Sequence, residues 1–485
     1  MDDPLKKDAD TIKAFLSNQD KSKLIDLLLD QSQTDDRLHE KLAMQAAKSE
    51  PRGPDMASFR KVINSAVKRR RFIDYAHAFE YAQGIEQIID ELDQMAQDHP
   101  SATIDLCEYA LTALESATGS VDDSDGHMTP LMRRLQEIHL AACRKSNPDP
   151  KNLARLLFQR ELTTDYDVFY GAAETYKDVL GPKGLAVFRQ LAEVQWSKIP
   201  PLGPRQKRST EDNPRFQITH IMETLAMMSG DTEELVAVKS RDLSLEYAFL
   251  EIAQIYKKAG KDDLALEWAE RGVRSFPGRC DARLRDFLAE EYKRQSRHDE
   301  AIVIIWSEFA DWPNLTYYQK LKPYADQIQA WPTWRQKSLD LIRDRIQREK
   351  DSSQKERSTS IITWSRVPDH SALVSIFLWE KDAESAWHEA TEGGCTQDLW
   401  LNLAALREEE HPEDAIRIYQ NQIAPTLDHK NNAAYEEAVA FIQKIHDIMS
   451  RLSQSAEFSK YLQSLRASHK RFRNFMKLLD KTNWY

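Results

Sequence analysis

The sequence predicts an all-α protein, a right-handed solenoid of helical hairpins, on three observations. The 485 residues include 14 glycines and 19 prolines, fewer than the roughly 7% and 5% of an average chain, which argues against a turn-dense β-sandwich. Apolar residues recur at helical spacing along most of the chain. A segment in the second half repeats after 36 residues, and such repetition is typical of solenoids.

The first half divides into helical segments separated by polar turns. Residues 1–50 are predicted to form two N-terminal helices whose apolar stripes face the core, and residues 55–199 continue the helical series. The acidic segment 122–126 is expected to be a solvated turn. An EF-hand count that places Gly126 sixth leaves no ligand at the first or twelfth position. The N-terminal stripes are Ile12, Phe15, Leu16, Leu24, Ile25, Leu27, Leu28 and Leu29.

Residues 200–214 form the first predicted domain boundary. Their first nine residues hold three prolines, a glycine and three cations, a composition that breaks helices and indicates an exposed linker. Residues 215–342 then contain the repeat. Residues 343–365 are rich in charge and serine, so we expect a mobile charged linker there. Residues 366–485 are predicted to form C-terminal helical repeats closed by a capping helix.

The repeat within 215–342 resembles the tetratricopeptide pattern. In this pattern small alanines let the two helices of a hairpin approach closely, a tyrosine fills the space between them, and a proline ends the second helix. The family period is 34 residues, so two extra residues fall between the copies here. The 36-residue shift superposes Ile252 on Leu288, Ala253 on Ala289, Tyr256 on Tyr292, Asp263 on Asp299, Ala265 on Ala301 and Pro277 on Pro313.

A wider resemblance covers the chain from about residue 20 to residue 480. The stretches that carry it are 79–85, 123–126, 167–174, 218–223 and 471–477. They are similar to the helical region of uncharacterised bacterial proteins, many of which carry an N-terminal SWIM zinc finger. Such a finger needs a Cys-x-Cys pair followed by Cys-x-His, because zinc takes four ligands in a closed tetrahedron. This chain has no Cys-x-Cys pair, so the binding implied by the finger does not transfer to it.

Charge and hydropathy exclude several classes of function. The net charge of −11 at pH 7 argues against binding nucleic acid or anionic lipid through overall charge, so any such contact must be local. The longest apolar runs, such as 301–306, are far shorter than the roughly 20 residues of a membrane span. The acidic N-terminus has no apolar signal segment. These features predict a cytoplasmic protein without a membrane partner.

The sequence also lacks the spacing of familiar catalytic and metal sites. Cys107, Cys143, Cys280 and Cys395 are too far apart for a zinc motif and are expected to be reduced thiols. No phosphate-binding loop, Gly-x-Ser-x-Gly elbow or His-Glu-x-x-His motif occurs, and the segment that begins at Gly181 is predicted to break a helix. We therefore expect no enzymatic activity, no cofactor and no metal.

Three groups of side chains are candidates for contacting a partner. One is a run of cations, one is a cationic stripe on a predicted terminal helix, and one is aromatic. Each has a structural alternative, since cations are solvated on capping helices and aromatic rings pack in cores. The run comprises Lys68, Arg69, Arg70 and Arg71. The stripe comprises Arg466, Lys470, Arg473 and Lys477, opposite Phe472, Phe475, Met476 and Leu479. The aromatic candidates are Trp312, Tyr317 and Tyr318.

These features together predict a non-catalytic scaffold or adaptor that binds a protein or peptide partner through a helical-repeat surface. The alternative is a nucleic-acid-associated adaptor that uses the local basic clusters. The two differ in salt dependence. Binding to nucleic acid weakens steeply with salt because counterions are released, whereas a groove with aromatic anchors is nearly insensitive to salt.

Overall fold

The computed structural model describes residues 4–48, 53–68, 71–163, 166–207, 213–278, 280–357, 370–482 and 484. The chain divides into two units, residues 1–261 and 262–485. Over the described residues both units are built from α-helices and neither contains a β-strand, which confirms the all-α prediction. None of the helices in these ranges is long and apolar enough to cross a bilayer.

The first unit contains thirteen helices within its described residues. Most of these helices pack against a neighbour in sequence, and one apolar core runs from Met44 to Val238. The helices are α1 (Pro4–Ser17), α2 (Lys21–Ser32), α3 (Asp36–Lys48), α4 (Met56–Val67), α5 (Tyr75–Asp98), α6 (Pro100–Thr118), α7 (Met128–Ser146), α8 (Pro150–Thr163), α9 (Ala172–Thr175), α10 (Lys177–Trp196), α11 (Asn213–Ser229), α12 (Thr232–Lys239) and α13 (Glu246–Lys258).

Two expectations about local breaks in this unit are confirmed. Gly181 has φ 53° and ψ −172°, so it kinks α10 where a helix break was predicted. In the acidic turn, the Asp123 carboxylate accepts hydrogen bonds from the backbone N–H groups of His127 and Met128 at 2.6 and 3.1 Å. Asp123 therefore satisfies N–H groups at the start of α7, the usual work of a capping aspartate.

The N-terminal stripes lie on helices, but they do not face the core. Ile12 and Phe15 on α1 are 58% and 54% exposed, and Leu28 and Leu29 on α2 are 47% and 53% exposed. The apolar core of the unit begins only at Met44 on α3. The described residues therefore leave the apolar faces of α1 and α2 uncovered, which corrects the expectation of core-facing stripes.

The segment from residue 200 to 207 is not a free linker between domains. The Leu202 N–H donates to the Arg241 carbonyl at 2.8 Å, and the Leu243 N–H donates to the Leu202 carbonyl at 2.8 Å. The Arg215 guanidinium donates to the Pro200 carbonyl at 2.8 Å. The structure thus differs from the predicted boundary at 200–214, because backbone pairing ties its start to residues further along the first unit. Residues 208–212 lie outside the described ranges.

The second unit contains twelve helices within its described residues. They are α14 (Asp262–Ser275), α15 (Ala282–Arg294), α16 (His298–Asp311), α17 (Leu315–Gln327), α18 (Trp331–Arg357), α19 (Ser371–Trp379), α20 (Ala383–Gly393), α21 (Gln397–Arg407), α22 (Pro412–Leu427), α23 (Asn432–Arg451), α24 (Ser455–His469) and α25 (Arg473–Asp480).

The helix bounds reproduce the 36-residue repeat. Each end of α13 and α14 recurs 36 residues later as the corresponding end of α15 and α16. The two matched tyrosines also play the same part. Tyr256 donates from its hydroxyl to Glu233 at 2.8 Å, and Tyr292 donates to Glu270 at 2.9 Å. The superposition predicted from sequence is therefore a structural repeat.

The predicted charged linker at 343–365 is helical for most of its length. Helix α18 runs through Arg357 as one element. Leu339, Ile342 and Ile346 follow each other at i, i+3 and i+7 and are all buried. This apolar stripe holds the helix on the unit despite its high charge, so the expectation of a mobile linker from residue 343 is corrected. Residues 358–369 lie outside the described ranges.

We expect substitution of Ala301 by tryptophan to destabilise the second unit by about 1 to 3 kcal/mol or more. Ala301 is fully buried on α16, which packs on α15, so an indole there has to displace both helices. The measurement is thermal and urea unfolding followed by circular dichroism. Val303→Trp is the matched control on the same helix, because Val303 is 55% exposed. Equal melting of the two variants would contradict the assigned packing.

Candidate functional site

The site begins with a buried carboxylate that caps a tight turn in the first unit. Gly171 has φ 72°, a left-handed conformation that glycine adopts without strain, and it starts the short helix α9. The Glu161 carboxylate on α8 accepts hydrogen bonds from the backbone N–H groups of Gly171 and Ala172 at 2.8 and 3.2 Å. Burial raises the pKa of Glu161 to about 7. Glu161 therefore fixes the backbone next to Tyr170.

Tyr170 lies on the surface beside this turn and stacks on a histidine of α11. The rings of Tyr170 and His220 have centroids 3.4 Å apart and are 11° from parallel. The ring nitrogen Nε2 of His220 lies 3.2 Å from the hydroxyl of Thr224, one helical turn further on. Burial lowers the pKa of His220. The imidazole is consequently neutral at pH 7 and presents a flat, uncharged face.

An ion triad lies next to this stack on α11, α12 and α13. The Lys239 ammonium is 2.9 Å from a Glu223 carboxylate oxygen and 3.3 Å from one of Glu251. Burial alone lowers the pKa of Lys239, but hydrogen bonds and charge attraction from the two glutamates outweigh it and raise the pKa. The lysine therefore stays charged, and its charge is balanced inside the triad.

The triad forms one wall of an open groove, which we call the α11–α13 groove. It has a volume of about 740 Å³. Two apolar side chains are exposed at its edge, Met227 at 56% and Tyr247 at 44%. The groove is lined by Glu223, Ala226, Met227, Gly230, Asp231, Thr232, Leu235, Lys239, Tyr247, Glu251, Gln254, Ile255, Lys258 and Ala259. The apolar part of this lining suits an apolar side chain of a partner.

The cationic stripe is not on one helix. Helix α24 ends at His469 and α25 begins at Arg473, so Arg466 and Lys470 belong to a different element from Arg473 and Lys477. Arg466 pairs with Asp480 at 2.6 Å, whereas the other three cations are exposed. The break corrects the expected single stripe, and it has a cause in packing.

The break lets α25 fold back onto α23. The rings of Phe472 and Phe475 lie 6.0 and 6.3 Å from the ring of Tyr435 on α23. Phe475 and Leu479 are fully buried. The apolar side of α25 thus covers α23 within the second unit.

The three aromatic candidates occupy different environments. Tyr318 is fully buried, and its hydroxyl donates to Glu380 at 2.6 Å while Arg335 donates to both oxygens of the same carboxylate. Tyr318 is therefore a core residue and not a contact for a partner. Tyr317 is half-buried against the same core, and Trp312 is 72% exposed at the end of α16.

Lys68, the first residue of the basic run, lies beside a smaller pocket of the first unit. Lys68 lines this pocket, which has a volume of about 420 Å³, together with residues of α4 and α6 such as Asn64 and Tyr109. Lys68 and Arg71 are exposed. Arg69 and Arg70 lie outside the described ranges.

One titratable cluster in the second unit has no signal in the spacing of the sequence. His370 and Glu389 are buried and lie 2.8 Å apart between ring Nδ1 and carboxylate, and with Glu392 they form a group that could hold a metal ion. Arg343 donates to Glu389 at 3.0 Å, and the Lys350 ammonium lies 3.2 Å from the other ring nitrogen of His370. Arg343 and Lys350 thus already contact this cluster. Such an arrangement is typical of a structural ion network.

The residues of this site were not predicted from the sequence, although one signal pointed to four of them. Tyr170 and Gly171 lie in the stretch 167–174, and His220 and Glu223 lie in the stretch 218–223, both of which carry the family resemblance. The structure brings these two stretches together through the Tyr170–His220 stack.

We expect Glu161 to make folding stability depend on pH. The folded-state pKa of about 7 exceeds the ordinary value of 4.5. Its contribution is therefore fully present below pH 4.5 and is lost as pH rises through 7, by at most about 3 kcal/mol. Urea unfolding followed by circular dichroism from pH 4.5 to 8 measures this loss. In Glu161→Gln the pH slope should flatten, whereas the exposed control Glu174→Gln should keep it. Parallel slopes in all three proteins would contradict the buried carboxyl.

Comparison with known proteins gives a family and distant relatives. The model of a family of unknown function, DUF6880, matches residues 13–345. An uncharacterised protein of Bacillus subtilis strain 168, YwqB, is 25% identical over 185 residues, which are 35% of this chain and 33% of that protein. The match thus spans about a third of the curated relative. The relation to SWIM zinc-finger proteins stays a prediction.

Solved structures of helical proteins align over most of the chain at low similarity. A circular tandem repeat protein with novel repeat topology is 13% identical with a TM-score of 0.16, covering 94% of this chain and 92% of its own. A structure of Naa15/Naa10 bound to HypK-THB is 13% identical with a TM-score of 0.20, covering 95% and 84%. TM-scores this low carry no argument about function. The family model matches well over half of this chain, and the chain therefore belongs to the DUF6880 family.

Proposed function

We propose that the chain is a non-catalytic cytoplasmic adaptor that binds a protein or peptide segment in the α11–α13 groove. The observation that carries the proposal is the combination of an open groove with exposed apolar side chains at its edge. Exposed Met227 and Tyr247 leave apolar area in water that a partner covers. Aromatic and methionine side chains are enriched at the centres of protein interfaces.

The ion triad indicates how the partner is held. Lys239 pairs with both Glu223 and Glu251, so the lysine charge is fully compensated and the triad keeps one net negative charge. An apolar anchor of the partner fits this environment better than an acidic one, because burying a carboxylate beside a net negative triad is costly. Binding should therefore change little between low and physiological salt.

The Tyr170–His220 stack offers a second flat face on α11, where His220 and the groove residue Glu223 are three residues apart and lie on the same side of the helix. Tyr170 is 44% exposed and is held in place by the capped turn at Gly171. A preorganised aromatic side chain loses little conformational freedom when a partner packs on it. The exposed Trp312 and the cations of α24 and α25 belong to the second unit, and in this proposal they are secondary contacts.

The test is site-specific photo-crosslinking in the native host. A photoreactive phenylalanine analogue at Met227 should capture a protein of defined mass, because that side chain lies at the groove. The same analogue at Val303 is the control, since Val303 is 55% exposed on α16 of the second unit. Mass spectrometry identifies the captured protein, which is then purified and titrated against the chain by calorimetry.

The titration decides whether the groove is responsible. Met227→Glu should weaken binding at least about tenfold, because it puts an unpaired charge against an apolar anchor. Leu406→Glu, at a 59% exposed position in the second unit, should leave the affinity unchanged. Equal affinities of the two variants, or an affinity that falls steeply with salt, would contradict the proposal that the partner binds in the groove.

A further inference from the structure

The pocket beside Lys68, which we call the α4–α6 pocket, is a second cavity of the first unit. Its volume of about 420 Å³ lies within the range of small-molecule sites in proteins. Its walls come from the end of α4, the start of α5, the second half of α6 and the turn that follows α6. It shares no lining residue with the α11–α13 groove, so a ligand here is independent of the partner proposed for the groove.

One end of the pocket is preformed and mainly apolar. The Ile73 N–H donates to the Ser120 carbonyl at 2.9 Å, which fixes Ile73 beside Val121. Val67, Tyr81 and Val121 line the pocket and are buried. The Tyr81 hydroxyl donates to the Val67 carbonyl, so Tyr81 offers a ligand its ring and not its hydroxyl.

The other end carries hydrogen-bond donors and positive charge. The Asn64 side-chain amide donates to the Tyr109 hydroxyl, which leaves the Tyr109 O–H available to a ligand. Lys68 follows Asn64 by one helical turn and also lines the pocket. The guanidinium carbon of Arg60 lies 5.4 Å from the centroid of the Tyr109 ring. Within the part of the chain that the structure describes, neither Lys68 nor Arg60 pairs with a carboxylate.

The two ends lie too far apart for one small polar group to contact both. Tyr109 and Ala117 both line the pocket and are eight residues apart on α6, a rise of about 12 Å. The acidic turn 122–126 follows Val121 at the apolar end, where it disfavours a negative group. A matching ligand is therefore elongated, with an anionic head at one end and an apolar tail at the other.

We propose that the α4–α6 pocket binds a small carboxylic acid with an apolar tail. The carboxylate accepts hydrogen bonds from Lys68 and from the Tyr109 hydroxyl, and the tail runs along α6 toward Val121. The apolar lining disfavours inorganic phosphate and nucleic acid, because their polar groups find few hydrogen-bond partners along that wall. One member of the basic run thus has a ligand-binding role that differs from contact with a macromolecule.

The test is calorimetric titration of the full chain with octanoate and with octan-1-ol, which has the same tail without the charge. Octanoate should bind saturably, with one molecule per chain. Lys68→Met should weaken octanoate binding about fivefold or more and leave octan-1-ol binding unchanged, because only the carboxylate contacts the ammonium. Lys151→Met is the matched control, since Lys151 is exposed on α8 outside the pocket, and it should keep the wild-type affinity for octanoate.

A second variant tests whether the tail occupies the cavity. Ala113 is half-buried on α6 and lines the pocket, so Ala113→Leu should fill that space and weaken the binding of both ligands. Circular dichroism should show the variants folded. An absence of saturable octanoate binding, equal octanoate affinities of the wild type and Lys68→Met, or a folded Ala113→Leu that binds both ligands normally would overturn the proposal. So would displacement of octanoate by inorganic phosphate or by a single-stranded RNA oligonucleotide.

Discussion

A charged side chain that is buried between packed helices needs a partner of opposite charge close by. The rest of this structure depends on that constraint. Because 30% of the residues are charged, some charged side chains become buried when the helices pack. In the first unit, Lys239 sits between Glu223 and Glu251. In the second unit, buried Arg407 pairs with Glu384 and Asp414. Such pairs add little net stability, but breaking one of them leaves an uncompensated charge.

The same constraint shapes what the surfaces offer a partner. Because Lys239 is held by Glu223 and Glu251, the α11–α13 groove offers a partner mainly its apolar lining, although the triad keeps one net negative charge.

Local pattern was sufficient to predict the helices and the repeat. Small and aromatic residues such as Ala301 and Tyr292 recur at fixed spacing because the two helices of each hairpin pack in the same way. The contacts between residues far apart in the sequence could not be predicted from local patterns. Tyr318 is a core residue because its hydroxyl meets Glu380, 62 residues further on, and α18 stays helical because Ile346 finds a core. The break before α25 likewise depends on the contacts of Phe472 and Phe475 with the ring of Tyr435.

The candidate site shows the same division. The stretches around Gly171 and His220 were recognisable as a resemblance, but nothing local indicated that Tyr170 would stack on His220 or that Glu161 would cap the turn. The most direct test of the groove is amide hydrogen exchange of the chain with and without the purified partner. Added protection should be concentrated in peptides that cover residues 213–258. Protection confined to the second unit, with residues 213–258 unchanged, would contradict it.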